Sequence, residues 1–171
     1  MNSSTYSVKD ITKTAMMAAI TFIGIYTVKI PSLHGYSHTG DCMIFLSVLI
    51  LGTRKGALAG GIGAALSDLL GGYMHWVIPT FIIKYIMATV MGLFIDKIMP
   101  NRKGNWLIGS IVGGIVQIIL YTVFKVFLFD WAYAIGGVPG LTSQTITGVV
   151  LATVLVVLFN KAGIMQKLRE M

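Results

Sequence analysis

GALAGGIGAALSDLLGG, from Gly56 to Gly72, is a helix almost stripped of side chains that ends in an acid. Each interior glycine disfavours a helix by up to about 1 kcal/mol, so propensity alone does not hold this segment together. A lipid bilayer does, because backbone groups in hydrocarbon must bond internally. Small residues there also let neighbouring helices approach closely. The whole chain agrees. Of its 171 residues, 56% are hydrophobic and only 11% charged, against roughly 25% charged in soluble proteins. The reading is an all-α integral membrane protein of one domain.

A hydrocarbon core of ~30 Å needs about 20 apolar residues per helix. Apolar runs divided by turn or charge signals place six spans near 12–30, 41–51, 56–70, 77–98, 105–128 and 141–160. The second and third are short, but Gly52 to Gly56 reads GTRKG, with two cations between glycines, which separates them. The opening stretch MNSSTYSVKDITK leads into an apolar run without a clear small-residue cleavage site, and reads as an uncleaved first span. Six crossings collect Lys9, Lys13, Arg54, Lys55, Lys97, Arg102, Lys103, Lys161, Lys167 and Arg169 on one side, and the excess of Lys and Arg marks it as cytoplasmic. Both termini then lie inside. The tail KAGIMQKLREM is either a short amphipathic helix on the surface or a simple polar end.

The outer half keeps Lys29, Lys84 and Lys125 with Asp41, Asp68, Asp130, His34, His38 and His75. Ionisable groups within membranes are costly, and they face a bundle interior or wet cavity where they pair or bind something. Two ridges at i+4 spacing lead to this region: Gly56, Gly60, Ala64 and Asp68, and Gly109, Gly113, Gln117, Tyr121 and Lys125. Their small residues read as packing surface. For the polar ends, a structural Asp–Lys pair or snorkelling to the interface competes with ligand contact. Lys84 lies ~10 Å inside its helix by the 1.5 Å rise, where snorkelling is strained, and is the best candidate for a ligand contact or buried pair. Spacing along the chain is compatible with Asp68 pairing with either Lys84 or Lys125.

LFDWAYAIGGVPG carries Trp131 and Tyr133 beside Asp130, either as an interfacial aromatic belt or as a cap whose rings stack on a flat ligand. PSLHGYSHTGD is a polar loop suited to a lid, and Thr142, Ser143, Gln144, Thr145 and Thr147 place polar groups at the same depth. Aromatic walls with a few placed polar groups form an expected pocket. Its candidate substrate-binding residues are Asp68, Lys84, Gln117, Tyr121, Lys125, Trp131 and Gln144.

Several chemistries find no support. There is no phosphate-binding G-x-x-x-x-G-K-[ST] loop, and GGIGAA follows no strand, so it is no dinucleotide fingerprint. Cys42 is single, which excludes an internal disulfide and a thiolate zinc cluster. His34 and His38 share an i, i+4 spacing, but Gly35 and Pro31 favour a loop there, and no metal site is expected. The net charge of +7 is dispersed among the spans, leaving no basic module for nucleic acid. Neither an enzyme nor a cofactor is expected.

With six spans in under two hundred residues, Ala15 and Ala19 in TAMMAA, and GDCMIFLSVLILGTRKGALAGGIGAALSDLLGGY, the chain resembles a substrate-binding S component of an energy-coupling factor (ECF) vitamin transporter. The last stretch is similar to the second and third helices of S components for riboflavin, pyridoxine and hydroxymethylpyrimidine. The resemblance implies capture of a vitamin at the outer face of the cell membrane, with a membrane T component and two ATPases supplying the energy. It also implies that Ala15 and Ala19, matching the family's A-x-x-x-A signature, face the T component. Two other functions fit the composition: a self-contained proton-coupled exporter using Asp68 or Lys84, and a structural membrane protein without a ligand.

Overall fold

A computed structural model describes residues 7–32 and 35–170, with backbone alone for residues 29–32 and 35–36. Helices dominate: α1 (Val8–Tyr26), α2 (Asp41–Leu51), α3 (Thr53–Leu70), α4 (Val77–Leu93), α5 (Asn105–Leu128), α6 (Trp131–Gly136), α7 (Val138–Lys161) and α8 (Ile164–Glu170). A 3-10 turn (Met74–Trp76) leads into α4, and a π-helical turn (Phe94–Ile98) ends it. Among the described residues, three helical stretches, Met74–Ile98, Asn105–Leu128 and Trp131–Lys161, are long and apolar enough to cross a membrane.

The bounds of α1 correct the expected 12–30. Ser7 caps the helix early by accepting from the Asp10 amide at 3.2 Å. Its C-terminus is at Tyr26, where Thr27, Val28 and Ile30 run into Pro31, which lacks a donor and disfavours helical backbone before it. The chain turns instead into an antiparallel hairpin, β1 (Lys29–Ser32) paired with β2 (Gly35–His38), where a lid loop was expected. His34 and the side chain of Lys29 lie outside the described residues. The hairpin is anchored by Ser37 Oγ donating to the Gly140 carbonyl at 3.2 Å.

Helices α2 and α3 are separate, as the GTRKG break suggested: Gly52 takes φ +80, a left-handed value that glycine adopts freely. At 1.5 Å per residue the 11-residue α2 rises only ~16 Å. Its N-terminal Asp41 therefore lies within the bundle, and the hairpin precedes it.

The glycines of α3 are positions of close approach. A Cβ at Gly56 would sit 2.5 Å from the Val48 backbone of α2, and one at Gly63 would sit 2.5 Å from the Ala18 carbonyl of α1. On α5, a Cβ at Gly113 would come 2.6 Å from the Met87 carbonyl of α4. Around these contacts Ile44, Phe45, Val48, Met87, Met91 and Ala152 form the main apolar core. Packing of this kind offsets the propensity cost of the glycines.

One end of the bundle gathers basic residues. Lys55 at the start of α3 pairs with Asp10 of α1 at 2.5 Å. Thr53 donates to Asp96 below α4 at 2.5 Å, and Arg169 of α8 reaches the Leu49 carbonyl at 2.9 Å. The tail is thus a helix, with Met165 buried against Leu46 and Val156. The other end is open and holds the site.

Candidate functional site

A cavity of about 360 Å³ lies between the hairpin, the ends of α1 and α3, the beginnings of α4 and α7, and the end of α5. Its polar lining includes Asp68, Thr80, Tyr121, Lys125 and Gln144. The aromatic wall is supplied by Tyr73, Trp76, Phe129 and Tyr133. Trp76 packs against Tyr121 at 5.8 Å and Phe124 at 5.7 Å between centroids, and Phe129 against Tyr133 at 4.4 Å. Tyr121 donates its hydroxyl to Thr80 Oγ1 at 3.2 Å. Both i+4 ridges end here, because the drift of that row around each helix carries it from packing surface to cavity wall.

Behind the wall is a buried polar network. Lys84 Nζ donates to Asp41 Oδ1 at 2.5 Å and to Gln117 Oε1 at 2.6 Å. Gln117 Nε2 donates to Asp41 Oδ2 at 2.8 Å and to Thr145 Oγ1 at 2.7 Å. Gln144 Nε2 adds a third donor to the carboxylate, at 3.1 Å on Oδ2. Asp41, Lys84 and Gln117 are fully buried. A carboxylate only accepts, so it turns the NH₂ of both amides toward itself. The Gln117 carbonyl then faces the ammonium, while the Gln144 carbonyl accepts from no described residue. Asp41 also opens α2, where the helix dipole favours an anion. Close approach of α7 at Gly148 completes the seat, since a Cβ there would lie 2.6 Å from Asp41 Cβ.

The expected single cluster of charges is thus divided. Lys84 pairs with Asp41 and not with Asp68, and neither Lys84 nor Gln117 lines the cavity. Asp68, Tyr121, Lys125 and Gln144 do line it. Asp130 lies outside it as the N-cap of α6, accepting from the Tyr133 amide at 2.8 Å. Trp131 is 67% exposed and faces an apolar groove with Ile118, Thr122 and Val126 on the outside of α5. Tyr133, two residues further round α6, takes the cavity side. Sequence reasoning missed Trp76, Tyr73, Thr80 and Phe129. The usable signal was YMHW directly after the Asp68 helix, at the depth of the later aromatic run. On α1, Ala15 and Ala19 are exposed while Ala18 is buried. No group of three or more metal-ligating side chains occurs among the described residues.

Residues 5–161 match the family described as ECF-type riboflavin transporter, S component. The chain belongs to that family. It is 29% identical over 167 residues to the thiamine precursor transporter HmpT of Lactococcus lactis subsp. cremoris, covering 96% of this chain and 95% of that one. It is also 31% identical over 124 residues to a Pyrococcus woesei protein described as "Uncharacterized protein in gap 3'region", covering 72% of this chain and 82% of that one. The S component is therefore a transporter subunit of a multi-pass membrane class, and not an enzyme. S components bind small vitamin substrates and work with T and ATPase subunits.

Proposed function

We propose that the cavity captures a small flat vitamin or vitamin precursor at the outer face of the cell membrane. Uptake is driven by ATP through a T component and two ATPase subunits. The reading is carried by one observation: a carboxylate on α3 and an ammonium on α5 share an aromatic-walled cavity at the end of the bundle away from the basic residues. Aromatic walls suit a planar ring, and the two charges suit its polar edges. A pyridoxine, hydroxymethylpyrimidine or riboflavin type of ligand meets these demands. The likeness to a thiamine precursor transporter favours the hydroxymethylpyrimidine type.

The proposed topology is a single membrane domain, 1–171, with six crossings and both termini cytoplasmic. In it α2 completes its crossing with the hairpin, since irregular backbone is tolerated at membrane depth when protein covers it. Basic residues at the end opposite the cavity support this orientation. Ala15 and Ala19, on the exposed face of α1, are the proposed contact with the T component. Equilibrium binding of a vitamin panel to purified, folded protein tests the function, together with mass spectrometry of the compound that co-purifies. Saturable binding of one heteroaromatic member is expected; no binding to any member overturns the proposal.

A further inference from the structure

Lys125 is the anomaly of the cavity. It is only 7% exposed, yet no carboxylate pairs with it among the described residues. Among the described residues the Tyr133 ring lies beside it, with its centroid 5.9 Å from Nζ. Most of this side chain is buried while its ammonium borders the cavity; a cation so placed without a counter-charge is costly, and a ring face recovers only part of that cost.

The seat of this ammonium is Gly137, at the corner between α6 and α7. A Cβ built there would lie 2.4 Å from Lys125 Nζ, so the ammonium occupies the space a side chain would take. The backbone does not ask for glycine, because Gly137 has φ −80 and ψ −16, ordinary values for any residue. What the position needs is room. The same lining also holds acceptors: Asp68 brings a carboxylate, and Gln144, its NH₂ held by Asp41, has a carbonyl that accepts from no described residue.

We infer that Lys125, seated against Gly137, is the subsite for a hydrogen-bond acceptor on the ring of a net-neutral heteroaromatic ligand, whose donor groups face Asp68 and Gln144. Gly137 is a positioning residue that acts through Lys125. The inference rests on the cavity being the vitamin site, and it narrows the ligand. A ring nitrogen or ring carbonyl fits the ammonium, and a neutral ligand adds no net charge to a lining that already holds both an ammonium and a carboxylate.

The test compares three probes on purified protein: the hydroxymethyl aminopyrimidine, its benzene-ring analogue with both ring nitrogens replaced by C–H, and the phosphate ester of the aminopyrimidine. A hydrogen bond to a charged group predicts a wild-type preference for the pyrimidine over the benzene analogue of about tenfold to a hundredfold. Lys125→Met should abolish that preference while binding the benzene analogue as before. Gly137→Ala, which displaces the ammonium without deleting it, should reduce the preference severalfold at unchanged thermal stability. A merely structural role would weaken both ligands equally in either variant, and that result overturns the inference, as does a preference that survives Lys125→Met. Tighter binding of the phosphate ester than of the alcohol overturns the net-neutral class. Equal wild-type binding of pyrimidine and benzene analogue defeats the inference alone, whereas no binding of either defeats the reading of the cavity and the inference with it.

Discussion

Lys84 and Asp41 illustrate how a buried charge pair behaves at the scale of single residues. Each oxygen of Asp41 is engaged, and Lys84 shares its protons between that carboxylate and Gln117. Removing one partner leaves the other charged and dry, which typically costs about 3–5 kcal/mol. Lys84→Met and Asp41→Leu should each lower the unfolding midpoint in detergent strongly, and the double variant should recover much of the loss. Two single losses that simply add would show that the pair is not coupled. The aromatic residues make a second contrast. Trp76→Ala should weaken ligand binding about fivefold, in line with the roughly 1 kcal/mol of an aromatic contact beyond its area. Trp131→Ala, on the outer groove, should leave affinity within about twofold, as titration calorimetry can check.

Among the elements, α1 has two faces with different tasks. Ala18, Thr21 and Ile25 are buried in the bundle, and the helix meets α3 where Gly63 lets the two backbones come together. The opposite face exposes Ala15 and Ala19 beside Met16, Ile20 and Ile23. Such a low, apolar surface suits close packing against another membrane helix. Ala15→Trp or Ala19→Trp should therefore abolish vitamin uptake in cells, or assembly with the T component, while equilibrium binding to the isolated protein stays intact. Equal loss of binding would mean that this face serves the cavity or the fold instead.

For the whole molecule, the cavity and the basic end lie at opposite ends of one bundle, and the sequence carries no G-x-x-x-x-G-K-[ST] phosphate loop. The chain alone, in liposomes with a pH gradient, should bind its vitamin without accumulating it. Co-reconstitution with a T component and two ATPases should restore ATP-dependent uptake. Accumulation driven by the pH gradient alone would favour a proton-coupled transporter using its buried charges.

Much of the architecture was legible in the residues. Helices at Asp41–Leu51 and Asn105–Leu128 have the bounds that the apolar runs indicated, because long apolar stretches between charged turns leave the backbone little alternative to helix in lipid. The i+4 spacing also marked Asp68, Tyr121 and Lys125 as neighbours of one region, since spacing along a helix is a local property. Partner choice between helices is not local. Asp41 lies 43 residues from Lys84 and 103 from Gln144, and no periodicity within one helix specifies that pairing over one with Asp68. The same holds for Trp131 and Tyr133: the sequence by itself determined an aromatic run at the cavity's depth. Only the packing of α6 against α5 and α7 decided which ring faces the cavity and which faces outward, because a rotation of a short helix is set by its neighbours.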